Sequence, residues 1–160
     1  AVSAWQSSQE VRRRERRVRA HLALDAAGPV LSRAVATGGR LTADERLEAR
    51  LVEGALRDEL RGADLLDDGV REAIQEVRRR GSVVTVLDEG GLRDIAEEGR
   101  RRIRRELADT VRSATSERLI IRAGRDPRVV VTVVGRSTRG ADEDSVVLFY
   151  EISRSDAARE

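Results

Sequence analysis

Few side chains in this 160-residue chain could do chemistry alone, and their types narrow the choices before any fold is considered. His21 is the single histidine, so only it could accept a phosphoryl group on nitrogen or act as a general base near pH 7. Leu22 follows it where an activating acid would be wanted, and a surface histidine accounts for it better. Ser137 and Thr138 carry hydroxyls in a polar stretch, but no G-x-S-x-G elbow surrounds them and no histidine is near in sequence; an ordinary loop accounts for them. Gly90-Gly91 stands between a strand pattern and a helix pattern, the position of a phosphate-binding loop. The further glycines and the lysine of such a loop are missing, and Asp88-Glu89 would repel phosphate, so the pair reads as a turn. With no cysteine, thiolate zinc sites, iron–sulfur clusters, disulfides and cysteine nucleophiles are excluded. One histidine also excludes multi-histidine metal sites. No catalytic residue, metal site or cofactor is assigned on these grounds.

Charge supplies the next candidates. The formal net charge is +2, yet the sequence pI is about 10.1. The two agree because all 31 basic residues are Arg; the chain has neither Lys nor Asn. Both missing residues have AT-rich codons, so the composition is that of a GC-rich genome such as an actinobacterium's, and part of the Arg excess says nothing about ligands. The run Arg12-Arg13-Arg14-Glu15-Arg16-Arg17, just after Trp5, has two physical readings. Beside a membrane, Trp5 would sit at the interface and each Arg would gain about 1 kcal/mol from an anionic leaflet. Away from one, the run is an arm for nucleic-acid phosphates. Arg78-Arg79-Arg80 and the run from Arg100 to Arg105, interrupted by Ile103, add to the second reading. Glu97, Glu98 and Glu106 flank the later run, aromatics for stacking are only 2%, and no groove-reading motif is present. Nucleic acid is therefore not the expected partner, and a solvated Arg face is the economical account of the later runs. No stretch approaches the roughly 20 apolar residues that would cross a bilayer.

The elements that would position these residues fall in two parts. From Gln9 to Ala36 the pattern is helical, with Val11 and Val18 a heptad apart and Ala20, Leu24, Ala27, Leu31 and Ala34 at alternating steps of four and three. Gly28-Pro29 should kink that helix. Gly38-Gly39 makes a tight turn, and Thr42 with Glu45 forms a capping box for a second helix carrying Leu47, Leu51, Val52, Ala55, Leu56 and Leu60. This helical hairpin, 9–62, is too thin to hold a core alone, so a homodimeric four-helix bundle is expected, with Ala20, Leu24, Ala27, Leu31, Leu47 and Leu51 at its interface. From 66 to 153 the pattern changes: a helix capped by Asp67 or Asp68 and ended at Gly81, a buried strand from Ser82 to Leu87, and a long helix carrying Leu92, Ile95, Gly99, Ile103, Leu107, Val111 and Ala114. Three strands follow, at Arg118–Ala123, Arg128–Val134 and Val146–Ile152. The first two are joined by Gly124-Arg125-Asp126-Pro127. The class is α+β, a helical hairpin before a two-layer α/β sandwich.

That order resembles the cytoplasmic core of bacterial sensor histidine kinases, a dimerisation hairpin followed by an ATP-binding domain. In the family the first helix commonly carries H-E-x-x-x-P; here Leu24-Asp25-Ala26-Ala27-Gly28-Pro29 keeps the acid and the proline, with Leu24 where the phosphoacceptor His would stand. The long helix of the family's ATP domain uses an Asn to hold magnesium on the phosphates, and Arg105-Glu106-Leu107-Ala108-Asp109 places Asp109 there. An Asp could ligate a hard cation. A salt-bridged helix residue is the plainer account. The family's D-x-G-x-G should follow the strand ending at Val134, where Gly135-Arg136-Ser137-Thr138-Arg139-Gly140 stands without the Asp or the paired glycines. The resemblance thus implies the kinase fold and argues against kinase activity. The expectation is a homodimeric, non-catalytic signalling or scaffolding module. It would be cytoplasmic, at the inner face of the membrane as part of a longer protein, with a protein partner and membrane contact through Trp5, Arg12, Arg13, Arg14, Arg16 and Arg17. Two alternatives stand beside it: an ATP- and magnesium-binding kinase-like enzyme using Asp109, and an Arg-rich DNA-binding regulator.

Overall fold

A computed structural model describes residues 2–137 and 145–155, except the side chains of Val2, Ala20, Leu22, Ala23 and Ala26. Helices come first and a four-stranded mixed sheet follows, an α+β arrangement. The chain divides into two compact units, Ala1–Ala63 and Asp64–Glu160.

The first unit is a pair of helices, α1 (Val2–Ala36) and α2 (Ala43–Gly62). α1 begins seven residues before the expected start and runs on through Gly28-Pro29. Proline inside a helix removes one backbone donor, and in a helix this long the turns on either side hold the element together. Gly38 (φ 62°) and Gly39 (φ 81°) take the left-handed conformation that closes the turn, with the Gly39 amide donating to the Ala34 carbonyl at 2.8 Å. The Thr42 hydroxyl accepts from the Glu45 amide at 3.2 Å. The Glu45 carboxylate then turns to Arg33 of α1, at 3.4 Å. At the other end the Arg19 guanidinium donates to the Ala63 carbonyl at 3.3 Å, so the helices run antiparallel. α2 buries Leu51, Gly54, Asp58 and Gly62, a stripe with steps of three and four. α1 has 35 residues against 20, so its turns before Arg19 extend past the end of α2.

The second unit is a two-layer sandwich. α3 (Asp68–Arg79) starts where the Asp67 carboxylate accepts from the Val70 amide at 2.8 Å, and buries Val70, Ala73, Ile74 and Val77 at helical spacing. Gly81, at φ 100°, turns the chain into β1 (Val83–Asp88). α4 (Glu97–Ser113) crosses to β2 (Arg118–Ala123), which pairs parallel with β1; β3 (Val129–Ser137) and β4 (Ser145–Ser153) add antiparallel in the order β1-β2-β3-β4. α3 and α4 cover one face, packing Ile74, Leu107 and Val111 against Leu119, Ile121 and Ile152.

Two expectations are corrected here. The strand at Ser82–Leu87 is half-buried, with only Val84 and Val86 inside, because helices cover a single face of the sheet. Leu92 and Ile95 lie before α4 instead of within it: Gly90 (φ 87°) and the close approach of Gly91 to Gly124 hold the segment in a turn, and the helix starts after Ala96.

Candidate functional site

The residues expected at a dimer interface divide into two sets. Ala27 and Leu51 are buried within the chain, Leu47 is half-buried, and Leu24 (49% exposed) and Leu31 (58%) face solvent. Ala20 lies in α1, with its side chain outside the described residues. Leu24, Leu31 and Val35 follow each other at steps of seven and four, so they form one exposed apolar line along α1. The sequence pattern could mark a stripe; only the packing against α2 shows which half of it stays uncovered.

Toward the start of α1, Trp5 is exposed, as are Arg12, Arg13, Arg14, Arg16 and Arg17. These five arginines take part in no hydrogen bond or ion pair among the described residues. The Arg runs of the second unit differ. Arg78 donates to the Val84 carbonyl at 3.0 Å, Arg80 to Arg112 at 3.1 Å, and Arg100 to Ile95 at 2.8 Å. Arg102 donates to Ser153 at 2.9 Å and Arg104 to Asp64 at 2.8 Å. A planar fork of donors suits this fastening of helix to loop and strand. His21 is exposed on α1.

Asp109 sits on the solvent side of α4, 3.9 Å from Arg112. Arg112 also approaches Glu76 at 3.8 Å and Glu72 at 4.0 Å of α3, and donates to the Gly69 carbonyl at 3.3 Å. The cation among these three carboxylates is thus a guanidinium of the chain itself. All three are well exposed, so the pairs act as weak ties between α3 and α4. Among the described residues, no group of His, Asp and Glu is placed to hold a metal ion. Ser137 closes β3; Thr138 lies outside the described residues, as does the rest of the loop through Asp144.

At Gly90-Gly91 the Asp88 carboxylate accepts from the Gly90 amide at 2.8 Å. Arg154 fastens the same region, donating to the carbonyls of Gly91 at 2.7 Å, Gly124 at 2.8 Å and Asp126 at 2.7 Å. A shallow cavity of about 460 Å³ opens there between Arg93, Asp94, Arg125 and Pro127. Burial pushes the Asp88 carboxyl above the ordinary carboxylate value of 3.8, against the lowering effect of the Gly90 and Gly91 amides. A raised folded-state value means a contribution to stability that is complete below 3.8 and is lost as pH rises through the folded value. Asp88→Asn keeps an acceptor for the Gly90 amide and removes that loss. Its melting temperature should therefore rise relative to wild type between pH 4 and pH 7; melting curves at the two pH values check this, and a constant difference would contradict it. Asp126 has the opposite sign: the Val129 and Arg128 amides hold its carboxyl low, so its contribution is lost on the acid side.

Arg154 and the contact between the Tyr150 hydroxyl and Glu106, at 2.8 Å, were not legible in the sequence, since each joins segments far apart in the chain. No helix of the described residues is long and apolar enough to cross a membrane. Compared with known proteins, the chain matches no family model, no curated protein and no solved structure.

Proposed function

We propose that the chain is a non-catalytic signalling or scaffolding module, a degenerate relative of the sensor histidine kinase core, that dimerises through α1 and α2 as a four-helix bundle. The observation that carries this reading is the exposed line Leu24, Leu31 and Val35 beside a seam already closed by Ala27 and Leu51. Two helices pack one side of each other and leave an apolar strip; a second copy supplies the missing wall. Such bundles suit signal relay, because two packings of one interface can differ by only a few kcal/mol. Leu24 occupies the phosphoacceptor position of the resemblance, and a leucine cannot be phosphorylated. The helix-strand-helix-strand-strand order of the second unit supports the kinase-type ATP domain, while Asp109, turned to solvent and tied to Arg112, supports loss of its chemistry. The exposed Trp5 and the five unpaired arginines of α1 fit the inner face of a membrane in a longer protein.

Calorimetric titration with magnesium-ATP tests the non-catalytic reading. No saturable heat is the expected result at ligand concentrations up to the high micromolar range. Heat saturating at one site per chain would overturn it and move the ATP-binding alternative, with Asp109 as its ligand, to the front.

A further inference from the structure

The turns of α1 before Arg19 carry their charges on one side. Successive residues of an α-helix turn by about 100°, so Trp5, Arg12 and Arg16, spaced by seven and four, stand nearly in line. Arg13 and Arg17 stand beside that line. Together the five side chains occupy a sector of about 140° and a length of about 18 Å. Between Trp5 and Arg17, Gln6 and Gln9 complete the sector, and no acid lies in it. Val11, Arg14, Glu15 and Val18 fall on the opposite side, with Glu10 at the border. Trp5 is 65% exposed, and Arg12, Arg13, Arg16 and Arg17 are exposed and make no hydrogen bond or ion pair among the described residues.

A face of this kind suits a plane of anions. Its four guanidiniums can each meet a phosphate or carboxylate of a lipid headgroup, and an indole beside them belongs where one end is apolar and the other wet. A nucleic-acid groove is the poorer match. Its phosphates flank a seated helix on both sides, where Glu10 on one side and Glu15 on the other would meet them. A plane touches the acid-free sector alone.

We propose that α1 lies along an anionic lipid bilayer by this face, with Arg12, Arg13, Arg16 and Arg17 against the headgroups and Trp5 in the interface. The inference rests on the reading of α1 as lying beside a membrane, and adds to it one face and one orientation, with Val11 and Val18 turned away from the lipid. Arg14 is the internal control. Being on the far side of the helix, it stands about 10 Å further from the headgroups, a Debye length at about 0.1 M salt, and contributes little.

Trp5 is the only tryptophan of the chain, so its emission reports this face alone. Mixed phosphatidylcholine and phosphatidylserine vesicles should shift that emission to the blue and carry the full chain into the pellet on centrifugation, whereas phosphatidylcholine alone should do neither. Arg13→Gln/Arg16→Gln should weaken partitioning about thirtyfold, about fivefold for each arginine, and Arg14→Gln at most about twofold. An Arg14→Gln loss of about fivefold would overturn the face and leave the membrane reading standing. No partitioning onto the phosphatidylserine vesicles would overturn both. Partitioning without a shift of the Trp5 emission would overturn the orientation, and tighter binding to duplex DNA than to the vesicles at equal salt would overturn lipid as the occupant.

Discussion

Gly135→Ala should cost about 3 kcal/mol of stability, roughly two orders of magnitude in the folding equilibrium, and lower the urea midpoint accordingly. Gly135 lies on the covered side of β3, paired with Leu119 of β2 and Leu148 of β4. A Cβ built there would stand 2.1 Å from the Ser116 hydroxyl, 2.8 Å from the Ser116 Cβ and 2.8 Å from the Leu148 Cβ. Rotating the hydroxyl relieves only the first of these. The other two atoms are fixed to backbone, and Ser116 is itself buried, so the strand or the α4–β2 connection must move. Adding Ser116→Gly should recover part of the loss and leave the Leu148 contact unrelieved. A Gly135→Ala protein with an unchanged urea midpoint would contradict the packing of β3 described above.

The second large effect is expected at Gly91, where alanine should also cost about 3 kcal/mol. Its Cβ would lie 2.3 Å from the carbonyl oxygen, 2.9 Å from the nitrogen and 3.1 Å from the carbonyl carbon of Gly124. All three are backbone atoms with no side-chain torsion to turn them away. Both loops are also pinned: the Gly124 amide donates to Val130 at 3.0 Å, and Arg154 holds both the Gly91 and Gly124 carbonyls. Gly90 makes the instructive comparison. It has the left-handed φ of 87°, for which an alanine costs about 1–2 kcal/mol, and its Cβ would meet only the flexible end of Arg93. Gly91→Ala should therefore be the more damaging of the two, the reverse of the order that backbone angle alone suggests. Urea unfolding of the two variants checks the ranking.

Local features were the legible ones. Thr42 and Asp67 cap their helices, Gly81 turns the chain after α3, and the β-branched runs form strands, since each depends on residues within a few positions. Burial on one face only was not legible in Val83-Val84-Thr85-Val86-Leu87: five apolar or β-branched residues in succession look the same whether one face is covered or two. The turn at Leu92 is not legible in its own segment because it depends on Gly124, some thirty residues away. Likewise the stripe Ala20, Leu24, Ala27, Leu31 was visible as spacing, whereas the division between Ala27 inside and Leu24 and Leu31 outside is set by where α2 lies. The Arg runs misled in a different way. The runs of the second unit read as a solvated face, yet Arg78, Arg100, Arg102 and Arg104 spend donors on carbonyls of the chain, whereas Arg12, Arg13, Arg14, Arg16 and Arg17 of α1 make no such bond among the described residues.

The most direct test of the central claim is the molar mass of the full chain in solution, by light scattering at micromolar concentration, beside the Leu24→Glu/Leu31→Glu variant. The account predicts at least twice the 17.7 kDa chain mass for wild type, and loss of the helical contact when two glutamates replace the exposed leucines. A wild-type mass of 17.7 kDa would contradict it, as would a variant whose mass and dissociation on dilution match those of wild type.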